Sequence, residues 1–301
     1  MRMETLAYKP NLDATIERLR SLYERRAEDR IFALFEMTGP ALERFRAAHP
    51  EGFCDYPDPE ERIAFWNAHL AEHAAIEDDS IPSAYLSEFD QGLYGGLLGG
   101  DVQFMSHDNG WISSMVAPLI DGWSGLDRIA GLLPVEKRPW FARYTRQVDI
   151  FREGAGDRFG ISHFILIDGL NFAFELVGAT KTYEGLIEAP DMVRRAIDLG
   201  FEVNLAVQRE FFALTPRLRG GTFSNMVQWV PGTVVSESVD PFHMTSVAYF
   251  EEWGRPNIER MFGSFDGGVL HIHGNGRHLL EAGCTLPGLR AIWMGDDRGF
   301  P

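Results

Sequence analysis

Short apolar runs alternate with longer stretches of helical periodicity along this chain. Leu12, Ile16, Leu19 and Leu22 recur at three- and four-residue spacing between Asn11 and Asp29, the apolar stripe of an amphipathic helix. The compact run Arg30–Glu36 reads as a first strand, and Pro57-Asp58-Pro59 opens a second helix carrying Ile63, Trp66 and Leu70. Ala84–Phe89 reads as a second strand. The glycine-rich stretch Gly92–Gly100 after it reads as a tight-turning loop, and it lacks the Gly-Lys-Ser/Thr of a phosphate-binding loop. Helices are expected over Trp111–Ile129 and Pro139–Glu153, from Pro190 to Phe212, and over Ser246–Met261. Strands are expected over Ile161–Ile167, Gly221–Trp229, Val269–His273 and Leu289–Met294. Strands alternating with helices indicate an α/β fold with a mostly parallel sheet. No repeat, low-complexity tract or flexible linker divides the chain, so one domain over 1–301 is expected, with a helical N-terminal extension over 1–29.

The segment Val269-Leu270-His271-Ile272-His273-Gly274-Asn275-Gly276 is the most informative of these runs. Residues two apart on a strand point to the same side. His271 and His273 therefore face one space where the strand ends, and in parallel α/β proteins that end is where sites are built. Two imidazoles there can bind a divalent metal or supply an acid and a base. The competing reading is one buried structural histidine and one that caps the turn. His163, which opens the Ile161–Ile167 strand, reads as a core histidine.

Polar residues collect after the expected strands. Glu36 and Thr38 follow the first; Glu88, Asp90 and Gln91 the second; Asp168 and Asn171 the third. Glu237, Asp240 and His243 come next, then the histidine pair, then Asp296 and Asp297. A ring of acids and imidazoles at strand ends is what a barrel active site requires. Each acid alone is also an ordinary cap or turn residue. Asp240, just before Pro241, either forms a turn or faces the histidines as base or ligand. Trp111, Trp123 and Trp229 either wall an apolar pocket or belong to the core.

Composition narrows the function. The formal charge of −16 argues against nucleic acid and anionic membrane, which both need basic patches. Hydrophobic residues make up 45% of the 301, enough for a sizeable core. Two cysteines, Cys54 and Cys284, exclude a disulfide framework and a cysteine-rich zinc module. No apolar run suits a signal core or a bilayer crossing, which makes a cytoplasmic protein the expectation.

Several segments, taken in order, resemble the uroporphyrinogen decarboxylase superfamily, which also holds corrinoid- and cobalamin-independent methyltransferases. These are Ser87-Glu88-Phe89-Asp90-Gln91 with Gly99-Gly100-Asp101-Val102, then Ile165-Leu166-Ile167-Asp168-Gly169-Leu170-Asn171, then Trp229-Val230-Pro231-Gly232 and Ser238-Val239-Asp240. Glu251-Glu252-Trp253-Gly254-Arg255-Pro256 and His271-Ile272-His273-Gly274-Asn275 complete the set. The resemblance spans roughly Ile31 to Pro301. It implies a TIM-type (β/α)8 barrel with the site at the C-terminal ends of the strands.

Three departures shape the expectation. Porphyrinogen decarboxylases of this superfamily carry an arginine-rich loop after the first strand; here the place reads Phe35-Glu36-Met37-Thr38-Gly39-Pro40, which lacks the cations a polycarboxylate substrate needs. The zinc methyltransferases use His-x-Cys and a later Cys; here His273 replaces the first thiol. The family continues for two more strands beyond the place where this chain reaches Pro301, so the barrel is expected to be incomplete at its C-terminus, with edges that associate.

The resulting expectation is a methyltransferase-like enzyme using Zn²⁺ or another divalent ion. His271, His273 and Glu237 would be the metal ligands, and Asp90 and Asp240 the catalytic acids. Glu36, Asn171, Trp229 and Asp296 would contact a small-molecule substrate. A corrinoid, carried by a partner protein, is a candidate methyl donor, and a homo-oligomer is a candidate assembly. The alternatives are a metal-free decarboxylase of porphyrin biosynthesis and an inactive binding barrel.

Overall fold

The fold was obtained as a computed structural model, which describes residues 2–28, 31–50, 53–54, 56–89, 91–107 and 109–295. Its centre is a run of parallel strands. Ser83–Tyr85 pairs with Gly160–Ser162. The chain leaving Ser162 bridges to Ser224 through His163 and to Glu237 through Leu166. Val235–Ser238 then pairs with Gly268–Ile272, and that strand with Leu289–Met294, all parallel. Helices cover one side. Pro139–Ala155 and Pro190–Leu214 each begin with proline at a position whose N–H has no helical partner. Phe151, Phe211, Met261, Phe262, Leu270 and Ile272 are among the residues buried between helices and strands. Gly268 is needed there because a Cβ at this position would overlap the Phe262 ring.

No closed sheet forms among the described residues. The mixed α/β architecture with parallel strands matches expectation, and the closed eight-strand barrel is not found. The expected first strand is one cause. Residues 31–36 form no ladder, and Ile31 and Phe35 are 89% and 61% exposed. The Ala33 and Phe35 N–H groups donate to the carboxylates of Asp79 and Asp78, and Asp79 N–H donates to the Ala33 carbonyl. Two side chains thus satisfy backbone donors that a neighbouring strand would otherwise take.

Three further segments differ from their sequence-based expectation. Gly92–Gly100 is largely helical, as Gln91–Leu97. A Cβ on Gly92, Gly95 or Gly96 would overlap Ser114, Val116 or Trp140, so close packing outweighs the low helix propensity of glycine. Ile112–Val116, expected at the start of a helix, is a strand paired antiparallel with Val102–Ser106. Gly221–Trp229 is a hairpin, Gly221–Ser224 against Gln228–Pro231. The helix Leu12–Tyr23 packs on that hairpin through Leu12, Ile16, Leu19, Phe223 and Trp229.

Candidate metal centre

Side-chain alternation sorts the polar residues of the last three strands onto two faces. Leu270 and Ile272 point to the helices, so Val269 and His271 point to the other face. His271 sits level with Ser238 on one neighbouring strand and Trp293 on the other. Its ring centroid is 4.9 Å from that of Trp293 and 4.4 Å from that of His273, which caps the turn Gly274–Leu279. The two histidines share one space, as their spacing predicts.

Asp240 reaches the same space from the preceding strand. Val235–Ser238 ends in a one-turn 3₁₀ helix, Asp240–Met244, where residues three apart eclipse each other. Asp240 and His243 therefore lie on one side of it. Asp240 Oδ1 is 3.9 Å from His271 Nδ1 and Oδ2 is 3.8 Å from His273 Nε2. One ligand-capable atom from each of Asp240, His271 and His273 lies within 4.8 Å of the others. The side chains of Asp240 and His273 are 43% and 36% exposed, whereas those of His271 and His243 are 7% and 3% exposed. The cluster is open to solvent on its Asp240–His273 side.

His243 was not among the residues assigned to the site from sequence. Its Nδ1 lies 3.8 Å from Asp240 Oδ1 and its ring 5.7 Å from that of His273. Burial pushes its imidazole down to about 4, against the opposing pull of Asp240, so the ring is neutral at pH 7. A Cβ on Gly276 would overlap this ring. The signal in sequence is the i, i+3 pair Asp240/His243 after a proline-started turn.

The donor set fits a divalent ion. Two nitrogens and a carboxylate oxygen suit zinc and its first-row neighbours. Asp240 Oδ1 is buried and accepts no hydrogen bond among the described residues, although imidazole nitrogens stand 3.8 and 3.9 Å away. That is too long for hydrogen bonds. It is close to the roughly 3.4 Å between donors around a tetrahedral ion with bonds near 2.1 Å.

Glu237 is not brought to the histidines. It shares a face with Val235, opposite Ser238, and so points toward the helices. There it hydrogen-bonds Asp168, whose Oδ2 accepts from Asn257 Nδ2 at 2.6 Å. All three residues are buried. Burial, then the Asp168 charge, raises the Glu237 carboxyl well above its ordinary value; burial also raises Asp168, against its bonds to Glu237 and Asn257. Of the two, Glu237 is pushed further toward its protonated form.

The other assigned residues scatter. Asn171 Nδ2 donates to the Ser238 carbonyl at 3.0 Å, which ties down the strand end leading to Asp240. Trp229 is buried under the N-terminal helix, its Nε1 donating to the Leu218 carbonyl at 2.9 Å. Glu36 is exposed on the rim of a separate cleft of about 450 Å³, beside Trp66, Tyr85 and Trp111. Asp90 and Asp296 lie outside the described residues. His163 is the expected core histidine: its Nδ1 is 3.3 Å from the Phe223 carbonyl, and Phe211 and Phe212 flank it.

Among known proteins, no family model matches this chain, and no curated protein matches it. Fourteen solved chains match it in structure. One is a methyltransferase from Methanosarcina mazei, with a TM-score of 0.61 over 92% of this chain and 75% of that one, at 15% sequence identity. At that identity the likeness establishes the fold. Nothing in these comparisons supports the decarboxylase alternative. Among the described residues, no helix is long and apolar enough to cross a membrane.

Proposed function

We propose that this chain is a metal-dependent methyltransferase of the methyltransferase-like branch of the uroporphyrinogen decarboxylase superfamily. Asp240, His271 and His273 would hold the ion. The observation that carries this reading is the convergence of those three side chains, from two neighbouring parallel strands, on one half-open space. The structural likeness to a methyltransferase supports it.

When bound, the ion supplies Lewis acidity, which lowers the pKa of a thiol or hydroxyl acceptor and favours its nucleophilic form. The residues of this chain position that chemistry. Trp293 backs the His271 ring, and Asn171 holds the strand end from which Asp240 projects. The solvent-facing edge between Asp240 and His273 admits the acceptor. The methyl donor in this reading is a corrinoid held by a partner protein, and Asp90 positions substrate or moves a proton.

Metal analysis of the purified chain tests the proposal. The expected result is one divalent ion per chain, lost in the double variant His271→Ala/His273→Ala. Equal uptake by the double variant overturns it.

A further inference from the structure

We propose that His243 is a fourth ligand of this centre, making it a three-imidazole, one-carboxylate site; the inference rests on the metal reading above. Two short elements supply the donors as matched pairs. Asp240 and His243 come from one face of a 3₁₀ turn, and His271 and His273 from one face of a strand end. The Asp240 carboxylate is the point they share: His273 Nε2 lies 3.8 Å from Oδ2, and the other two imidazoles face Oδ1. His243 Nδ1 and His271 Nδ1 flank Oδ1 at 3.8 and 3.9 Å, and no described group donates a hydrogen bond to it.

His163 shows what a structural histidine looks like in this fold. It is packed between phenylalanine rings, with a backbone carbonyl beside its Nδ1 and no acid among the described residues acting on it. His243 differs at its Nδ1 and alongside its ring: it has a carboxylate at Nδ1 and a second imidazole next to it, while Nε2 is without a described hydrogen-bond partner in both histidines. Gly276 leaves the space its ring occupies.

The assignment has a chemical consequence. A site of three imidazoles and a carboxylate has no thiolate, so it favours Zn²⁺, Co²⁺ or Ni²⁺ over thiophilic ions. The buried His243 and His271 close the inner side. The Asp240–His273 edge faces solvent and is the side from which an acceptor would approach.

Titration with Co²⁺ alone, followed by its visible ligand-field absorption, tests the inference. Wild type, His243→Ala, His243→Asn and His271→Ala/His273→Ala are compared, with thermal unfolding of each ion-free chain as the control for folding. His243→Ala should bind Co²⁺ about 10- to 100-fold more weakly. Its absorption should be weaker, as water replaces the imidazole, and added free imidazole should restore part of it. If His243→Ala fails to fold, His243→Asn, which keeps much of the ring's bulk, decides with the same expected loss. Unchanged Co²⁺ affinity and spectrum in a folded His243 variant overturns this inference and leaves the three-ligand reading standing. A wild-type chain that takes up no Co²⁺, Zn²⁺ or Ni²⁺ overturns both.

Discussion

The strands Val235–Ser238 and Gly268–Ile272 carry two polar clusters on opposite faces, and their comparison shows how side-chain parity assigns chemistry. On the helix-facing side, Glu237, Asp168 and Asn257 are sealed from solvent and linked to one another through Asp168, with Glu237 Oε2, Asp168 Oδ1 and Asn257 Oδ1 accepting no hydrogen bond among the described residues. On the other side, Asp240, His271 and His273 stand slightly too far apart for hydrogen bonds and open to solvent along one edge. Glu237 and Asp240 are three residues apart in sequence. One is a buried acid pushed toward its protonated form, and the other is a ligand candidate. The difference is set by the pleat and by the 3₁₀ turn that follows the strand, not by residue type.

The largest effect separating the two clusters should be on stability. Glu237→Ala leaves the Asp168 carboxyl buried with only Asn257 as partner, and should cost about 3 kcal/mol in denaturant unfolding. Asp240→Asn should cost less than about 1 kcal/mol, because the side chain is half exposed, while abolishing or strongly weakening metal uptake. Equal stability losses for the two variants would erase the distinction.

Next in size is a pH effect. Glu237 has a raised value in the folded chain, so the folded state keeps a proton that the unfolded state releases above its ordinary 4.5. Its contribution is complete below that pH and is lost as pH rises toward the folded value, by up to about 1.4 kcal/mol per pH unit. In Glu237→Gln the amide donates to Asp168 without titrating, and the slope assigned to Glu237 should flatten. A wild-type slope retained in this variant would place the proton elsewhere.

Smaller changes sharpen the boundary of the metal side. Asn171→Ala removes the hydrogen bond to the Ser238 carbonyl, and should cost about 1 kcal/mol with a several-fold loss of metal affinity, as Asp240 loses its anchor. Trp229→Phe should cost a similar amount, through the lost bond to the Leu218 carbonyl, and leave metal affinity unchanged.

The histidine pair was legible because an i, i+2 relation is local and survives any arrangement of neighbouring strands. Asp240 was legible as a candidate for the same reason: it follows a strand and precedes a proline. Glu237 was misplaced because its face depends on how Val235–Ser238 registers with Leu166 and Gly268–Ile272, pairings 30 to 70 residues distant in sequence. The alternation Val-Ser-Glu-Ser already groups Glu237 with Val235, and that grouping was the available clue. The Gly92–Gly100 helix was hidden because glycine propensity argues against it; only the approach of Ser114, Val116 and Trp140 explains it. Residues 31–36 have the composition of a strand, and composition does not reveal that Asp78 and Asp79 take up the backbone donors.

That last arrangement has a consequence for enzymes that cut polypeptides. Ile31, Leu34, Phe35 and Met37 are exposed along an extended segment. Burial alone would raise the Asp78 carboxyl; bonds from Ser80, the Phe35 N–H and Lys9 outweigh it and hold the carboxyl below its ordinary value. The segment thus offers a protease the shape it binds, tethered at few points and displaying the large apolar side chains that chymotrypsin selects. Limited digestion of the native chain should nick first after Leu34, Phe35 or Met37, while the histidine strand, buried along its whole length, stays intact. A first cut in the C-terminal strands instead would show that the 31–37 segment is held more firmly than its exposure implies.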